Sequence, residues 1–253
     1  MLKEYRADLH IHTILSPCTE LTEMSPRAIV GKAHQIGLDF IAICDHNSCE
    51  NVIPARKISL DVGLAVLAGI EIASKEEVHT LGLFDSEDEA LKVQEIVYNN
   101  LPGENDEETF GYQVIVNEKD EVLEFNKKLL IGATTLTLEK IVELIHSFNG
   151  LAVAAHIDRE GFSIIGQLGF IPPGLPLDAL EISPRTSVEE AKSRFPQSND
   201  YPLITSSDAH YLDDIGKSST TFLMKEASVV EMKLALTGKE GRKVILVQDS
   251  AEF

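Results

Sequence analysis

The chain has 253 residues, of which 43% are hydrophobic and 25% charged, enough apolar material for one large core. A formal net charge of -19 argues against a broad basic face for duplex nucleic acid, and no apolar run reaches the roughly 18 residues of a membrane span. Cys18, Cys44 and Cys49 suggest no disulfide framework, and the start Met1-Leu2-Lys3-Glu4-Tyr5 lacks an apolar signal stretch, so a cytoplasmic protein with no membrane partner is expected.

Strands and helices alternate. Tyr5 to His10 reads as a buried strand. Ser25-Pro26 then offers an N-cap with proline at the first helical position, and Gly37 closes that helix. Phe40 to Cys44 and Leu64 to Glu71 are further strands, with a helix beginning near Cys49, and Val78 to Phe84 is another extended segment. Ser86-Glu87-Asp88-Glu89 forms a capping box for a helix running to about Asn100. Residues 101–133 break the rhythm with Pro102-Gly103, an acidic run and two possible hairpin strands, and read as an insertion in a single domain of residues 1–253. A helix from Thr137 to Phe148 follows, then strands at Leu151 to His156 and Ala179 to Ile182, and a helix capped at Ser187. A strand at Leu203 to Ser207 precedes one at Thr220 to Leu223, a helix begun at Ser228, and a last strand from Val244 to Val247. This order implies a parallel sheet with helical crossovers.

The chemistry gathers at the strand ends. Asp8-Leu9-His10-Ile11-His12 is the first cluster, and strand alternation places His10 and His12 on one face with Asp8 in line. Two imidazoles so placed can grip a metal ion. Asp45-His46, Glu71, His79, His156 and Asp208-Ala209-His210 follow, so six of the eight histidines fall in the set; His34 and His146 lie in helices instead. In barrel folds such residues converge on one rim. Arg159, three residues past His156, is the leading cation for a phosphate because its planar fork can hold two oxygens. Arg185 and Lys217 are secondary candidates.

The ordered motifs resemble the PHP superfamily, named for polymerase and histidinol phosphatase domains. Its pattern is Asp-x-His-x-His, then Asp-His, then Glu with a downstream His, then a lone His, then Asp-x-His, and this chain carries all of it from Asp8 to His210. The resemblance implies a distorted (β/α)7 TIM-like barrel with two or three divalent metals, Zn, Mn or Fe. It implies that His10, His12, Glu71 and Asp208 hold one ion, and that Glu71 bridges to a second completed by His79 and His156. A third ion would use His46, His210 and a residue after the first motif, where the spacing here lands on Cys18. Asp45 is a ligand or an acceptor that orients a histidine.

The resemblance further implies a stand-alone phosphoesterase acting on a small phosphomonoester, a nucleotide or nucleoside bisphosphate, by attack of a metal-bridging hydroxide. Asp208 is the expected acceptor of the nucleophile's proton; His210 and Arg159 complete the catalytic candidates. The alternatives are a histidinol-phosphate phosphatase, an amidohydrolase-type C–N hydrolase, and a non-catalytic metal-stabilised nucleotide-binding scaffold. Against amidohydrolase chemistry, Glu71 stands where a carbamylated lysine is often found. Oligomeric state leaves no mark on the sequence.

Overall fold

The computed structural model describes residues 1–245, so Leu246 and Val247 of the expected last strand lie outside the described residues. β1 (Lys3–Ile11), α1 (Pro26–Gln35), β2 (Phe40–Ile43), α2 (Val52–Ser59) and β3 (Ala65–Ala73) open the chain. β4 (His79–Phe84) and α3 (Glu87–Asn99) follow, then a short α4 (Glu107–Phe110) and the hairpin strands β5 (Val114–Val116) and β6 (Val122–Phe125). α5 (Leu138–Ser147), β7 (Leu151–Ala154), α6 (Ile164–Leu168), β8 (Ala179–Ile182), α7 (Val188–Arg194) and β9 (Leu203–Thr205) lead to β10 (Thr220–Met224), α8 (Val229–Leu236) and β11 (Lys243–Ile245). The N-caps read from sequence are formed: the side chains of Ser25, Ser86, Thr137, Ser187 and Ser228 each accept a backbone N–H of the first helical turn.

β1, β2, β3, β4, β7, β8 and β9 follow one another around the sheet, and β10 and β11 extend it beyond β1. The chain after β9 returns to β1 through an Ile11–Ala209 bridge, where the His12 N–H donates to the Ala209 carbonyl at 3.1 Å. The result is a nearly closed, distorted TIM-like barrel. One apolar cluster lies between the strands and α1, α2, α3 and α5, and includes Ile29, Ala55, Val93 and Ile145. The other includes Ala7, Leu9, Phe40, Leu81, Val153 and Ile204 and fills the barrel, with Phe222 of β10 and Met232 of α8 packed into it.

The sheet is not wholly parallel. β4 runs antiparallel to both β3 and β7. Only residues 74–78 join β3 to β4, far too few for a crossover helix, so the connection is a hairpin. Its Ser74 N–H donates to the Val78 carbonyl at 2.9 Å. This reversal pairs Ala73 with His79 and brings the start of β4 to the rim where the parallel strands end.

The segment 101–133 packs its hairpin against the loops that follow β1 and β2. The Val114 N–H donates to the Ile14 carbonyl at 3.0 Å. The Asn51 amide donates to the Val114 carbonyl and accepts from the Val116 N–H. Asn47, beside His46, donates to the carbonyls of Leu130 at 2.7 Å and Gly132 at 2.8 Å and accepts from the Ala73 N–H at 3.1 Å. Its φ of 51° lies in the left-handed region that asparagine tolerates better than alanine. Asn47→Ala is therefore expected to cost about 3 kcal/mol of unfolding free energy, by leaving buried groups unpaired and adding backbone strain. Urea denaturation measures this, and a loss below about 0.5 kcal/mol would mean these bonds do not hold the segment 101–133 in place.

Candidate metal centre

The first cluster reaches the barrel mouth through a register shift. Ala7 and Leu9 face the inner core but Ile11 faces the helices, and the pairing of β1 with β2 shifts between Asp8 and Ile11. Such a bulge re-aims the side chains beyond it. His10 and His12 thus share the inner rim, with Nε2 atoms 3.1 Å apart. Asp8 is not in line with them, contrary to the alternation expected from sequence. Its carboxylate accepts from the backbone N–H groups of Ser207 at 3.0 Å and Gly216 at 2.8 Å, which fixes the segment carrying Asp208. Burial pushes its pKa up to about 6 despite those bonds.

Glu71, near the end of β3, is the hub. Its carboxylate lies 2.7 Å from His46 Nδ1, 2.8 Å from His79 Nδ1, 3.3 Å from His156 Nε2 and 3.4 Å from His10 Nε2. Asp208 Oδ1 is 3.0 Å from His12 Nε2 and 3.3 Å from His10 Nε2. His156 and Asp208 both have positive φ, 32° and 50°, so strained backbone is spent on aiming two of these side chains. Burial opposes charge on Glu71, yet His79, His10 and His46 hold its carboxyl well below the usual range. Burial likewise opposes charge on His10, but Asp208, Glu181 and Glu71 hold its imidazole well above its ordinary value. His12 is pushed well below by burial and by the neighbouring His210 and His46.

These donors suit a divalent ion. Three groups bring their ligand atoms within 4.8 Å of one another: His10, His12 and Asp208; His46, Glu71 and His79; and His12, His46 and His210. Two ligand atoms bound tetrahedrally to one zinc ion would stand roughly 3.3 Å apart, close to the separations above. Imidazole and carboxylate donors fit Zn, Mn or Fe. The grouping places His46 with Glu71 and His79, while His156 reaches Glu71 from beyond that triplet. Cys18 Sγ lies 3.3 Å from His46 Nε2. Burial raises its thiol, but hydrogen bonds to His210 and His46 prevail and bring it down to about 6.

Partners behind the cluster set the imidazole tautomers. His210 Nδ1 donates to the Asp208 carbonyl at 2.9 Å, which leaves its Nε2 for a ligand. His12 Nδ1 pairs with Ser16 Oγ at 3.0 Å, and Ser16 donates to Asp45 at 2.7 Å. Thr13 donates to Asp45 through both its backbone N–H and its hydroxyl. Of the two roles expected for Asp45, the structure fits the acceptor behind His12 and not the ligand, because its two oxygens are committed to Thr13 and Ser16.

Glu181, absent from the sequence reading, is 1% exposed on β8; its Oε2 lies 3.0 Å from His10 Nδ1 and accepts the His156 N–H at 3.1 Å. The available signal was an acidic residue within the apolar strand Ala179–Ile182. A carboxylate behind a ligating histidine commonly contributes 10–100-fold to metal affinity. Glu181→Gln is expected to weaken metal binding by about that factor, read by competition with a metal chelator. An unchanged affinity would remove Glu181 from the centre.

Above the cluster lies a cavity of about 500 Å³ lined by His46, His79, His156 and His210, together with Cys18, Glu71, Asp208, Arg159, Phe162 and Ile131. Arg159 lies 2.5 Å from Asp208 Oδ2 and is the cavity's only lysine or arginine among the described residues. Arg185 and Lys217 do not line it. Arg185 lies in the exposed turn after β8, and Lys217 is ion-paired with Asp214 at 2.6 Å, so both leave the phosphate-binding set. Of the histidines outside the cluster, His146 pairs with Asp178 at 2.8 Å.

YqxK of Bacillus subtilis, an uncharacterized protein, is 27% identical over 96% of this chain and 65% of its own length. A 5'-3' exoribonuclease of Haemophilus influenzae is 31% identical over 33% of this chain and 29% of its own. The lesion-specific endonuclease EndoQ of Pyrococcus furiosus superposes with a TM-score of 0.67 at 20% identity, over 96% of this chain and 58% of EndoQ. Endonuclease Q has also been seen with a 27-mer duplex carrying an abasic lesion at its active site, with the same TM-score. The chain thus spans less than two thirds of the length of each of these proteins. No helix among the described residues is long and apolar enough to cross a membrane. The PHP domain profile matches residues 8–166, from the first motif past His156, and the chain belongs to the PHP domain family.

Proposed function

We propose that this chain is a metal-dependent phosphoesterase that hydrolyses a small phosphomonoester of nucleotide type. The observation that carries the reading is the convergence of Glu71 and Asp208 with six histidines beneath a cavity whose only lysine or arginine among the described residues is Arg159. His10, His12, Glu71, His79, His156 and Asp208 would hold two ions, and His46 and His210 with Cys18 a third. A divalent ion bound here supplies Lewis acidity and lowers the pKa of water. Arg159 pairs with phosphate oxygens and orients the ester, and Asp208 Oδ2 takes the proton released by the attacking water. Burial of Glu71 and Asp208 strengthens the interactions made by the cluster itself.

The test is phosphate release across nucleotides, nucleoside bisphosphates, sugar phosphates and histidinol phosphate, by wild type and by His10→Ala and Asp208→Ala. Metal-dependent release by wild type that both substitutions abolish is expected. Unchanged hydrolysis in both variants would overturn the assignment, and release of ammonia without phosphate would indicate C–N hydrolysis instead. A second reading, cleavage of a phosphodiester in nucleic acid, is favoured by the exoribonuclease and by the Endonuclease Q complex. The net charge of -19 weighs against a duplex and less against a short single strand. Shortening of a labelled oligonucleotide without release of inorganic phosphate would select it.

A further inference from the structure

Two apolar residues line the cavity and belong to no ligand set, Phe162 and Ile131. Phe162 is 48% exposed, so core burial does not explain it. Its φ of 59° is in a region that bulky side chains rarely adopt, so backbone geometry does not explain it either. Strain of this kind gathers at binding sites. The ring stacks on His79 at a centroid distance of 4.8 Å and an interplanar angle of 19°. The Phe162 carbonyl accepts the His79 N–H at 2.8 Å, and the Ser163 hydroxyl donates to the Arg159 carbonyl at 2.6 Å. One short loop therefore presents a cation and a flat ring to the same cavity in a fixed relation. Ile131 is held in turn by Asn47, which binds the carbonyls on either side of it.

We propose that Phe162 and Ile131 form a subsite for the flat heteroaromatic ring of a nucleotide whose phosphoester faces Arg159 and the histidine cluster. This rests on the phosphoester reading and deepens it, because an aromatic face is attracted to a base and gains little from a bare sugar phosphate. The competing explanation is that the ring only shields His79, and the two differ in substrate dependence.

The experiment compares adenosine monophosphate with ribose 5-phosphate, by turnover and by equilibrium binding, in metal-loaded wild type, Phe162→Leu and Phe162→Tyr. Phe162→Leu is expected to lose roughly ten-fold in kcat/KM and affinity for the nucleotide, and within about two-fold for the sugar phosphate. Phe162→Tyr should keep wild-type values, and metal content should match in all three. An equal loss on both compounds, or no loss on either, overturns the subsite. Should wild type release phosphate from neither these two compounds nor the wider panel above, the phosphoester reading falls, and binding of free adenosine decides the subsite alone. Roughly ten-fold weaker adenosine binding in Phe162→Leu sustains it, and equal binding overturns it.

Discussion

Replacing Glu71 with glutamine is expected to lower metal-dependent hydrolysis by roughly a thousand-fold or more, the scale of losing a preorganised charge at a reacting centre. The amide has nearly the same volume, so the barrel has no cavity to collapse. What changes is the charge at the focus of His10, His46, His79 and His156, the histidines within 3.4 Å of this carboxylate. The amide nitrogen would also present hydrogens where a ligand needs a lone pair. Metal content should fall with activity, while the circular dichroism spectrum stays that of the wild type. A variant that kept its metal and most of its activity would show that the carboxylate is an ordinary buried acceptor.

Metal loading is expected to release protons and to weaken steeply as the pH falls. In the metal-free protein, burial opposes charge on His10 and His46, but Asp208, Glu181 and Glu71 around His10, and Glu71 and Cys18 around His46, prevail and hold both above the ordinary histidine range. Each must lose its proton to act as a ligand. Where both are protonated, the ion that displaces each proton should lose about ten-fold in apparent affinity per pH unit, and full loading about a hundred-fold. The stability effect has the opposite sign. A histidine whose folded pKa is raised stabilises the metal-free fold fully below its unfolded pKa, and this is lost as the pH rises through the folded pKa. Glu71 and Asp208 are lowered, so their contribution is present above the unfolded carboxylate pKa and disappears only as the pH falls through their low folded values. Cys18, held down to about 6, works the other way between that value and the ordinary thiol range. In a Cys18→Ser background, metal-free protein should therefore melt at falling temperatures from neutral pH upward while metal-loaded protein gains. Thermal denaturation with and without chelator reads this as a widening gap in Tm, and a gap that narrows with rising pH would contradict it.

The alternation of short apolar strands with capped helices made the barrel legible, and the spacing of polar motifs at strand ends marked the residues that meet at its mouth. The features that escaped depend on where the chain turns. Alternation predicted Asp8 in line with His10, but a register shift is not written in the residue pattern of Asp8 to Ile11. The five residues 74–78 could have revealed the β3–β4 hairpin, since no parallel crossover fits that length. Glu181 is hard to read from sequence because a single acid does not change the strand character of Ala179–Ile182. The sequence offers Arg185 and Lys217 as cations, but it says nothing about the direction in which a loop leaves the rim. Asp45 shows the same limit on a smaller scale: Thr13 and Ser16 come from another strand's loop, and only folding brings them to its oxygens.

The most direct test of the account is phosphate release from a nucleotide while zinc or manganese is titrated into chelator-stripped protein. Release should rise from background and saturate at about two or three ions per chain. Release that is absent at every metal concentration, or that is complete before metal is added, would contradict the assignment of this cluster as the centre of a metal-dependent phosphoesterase.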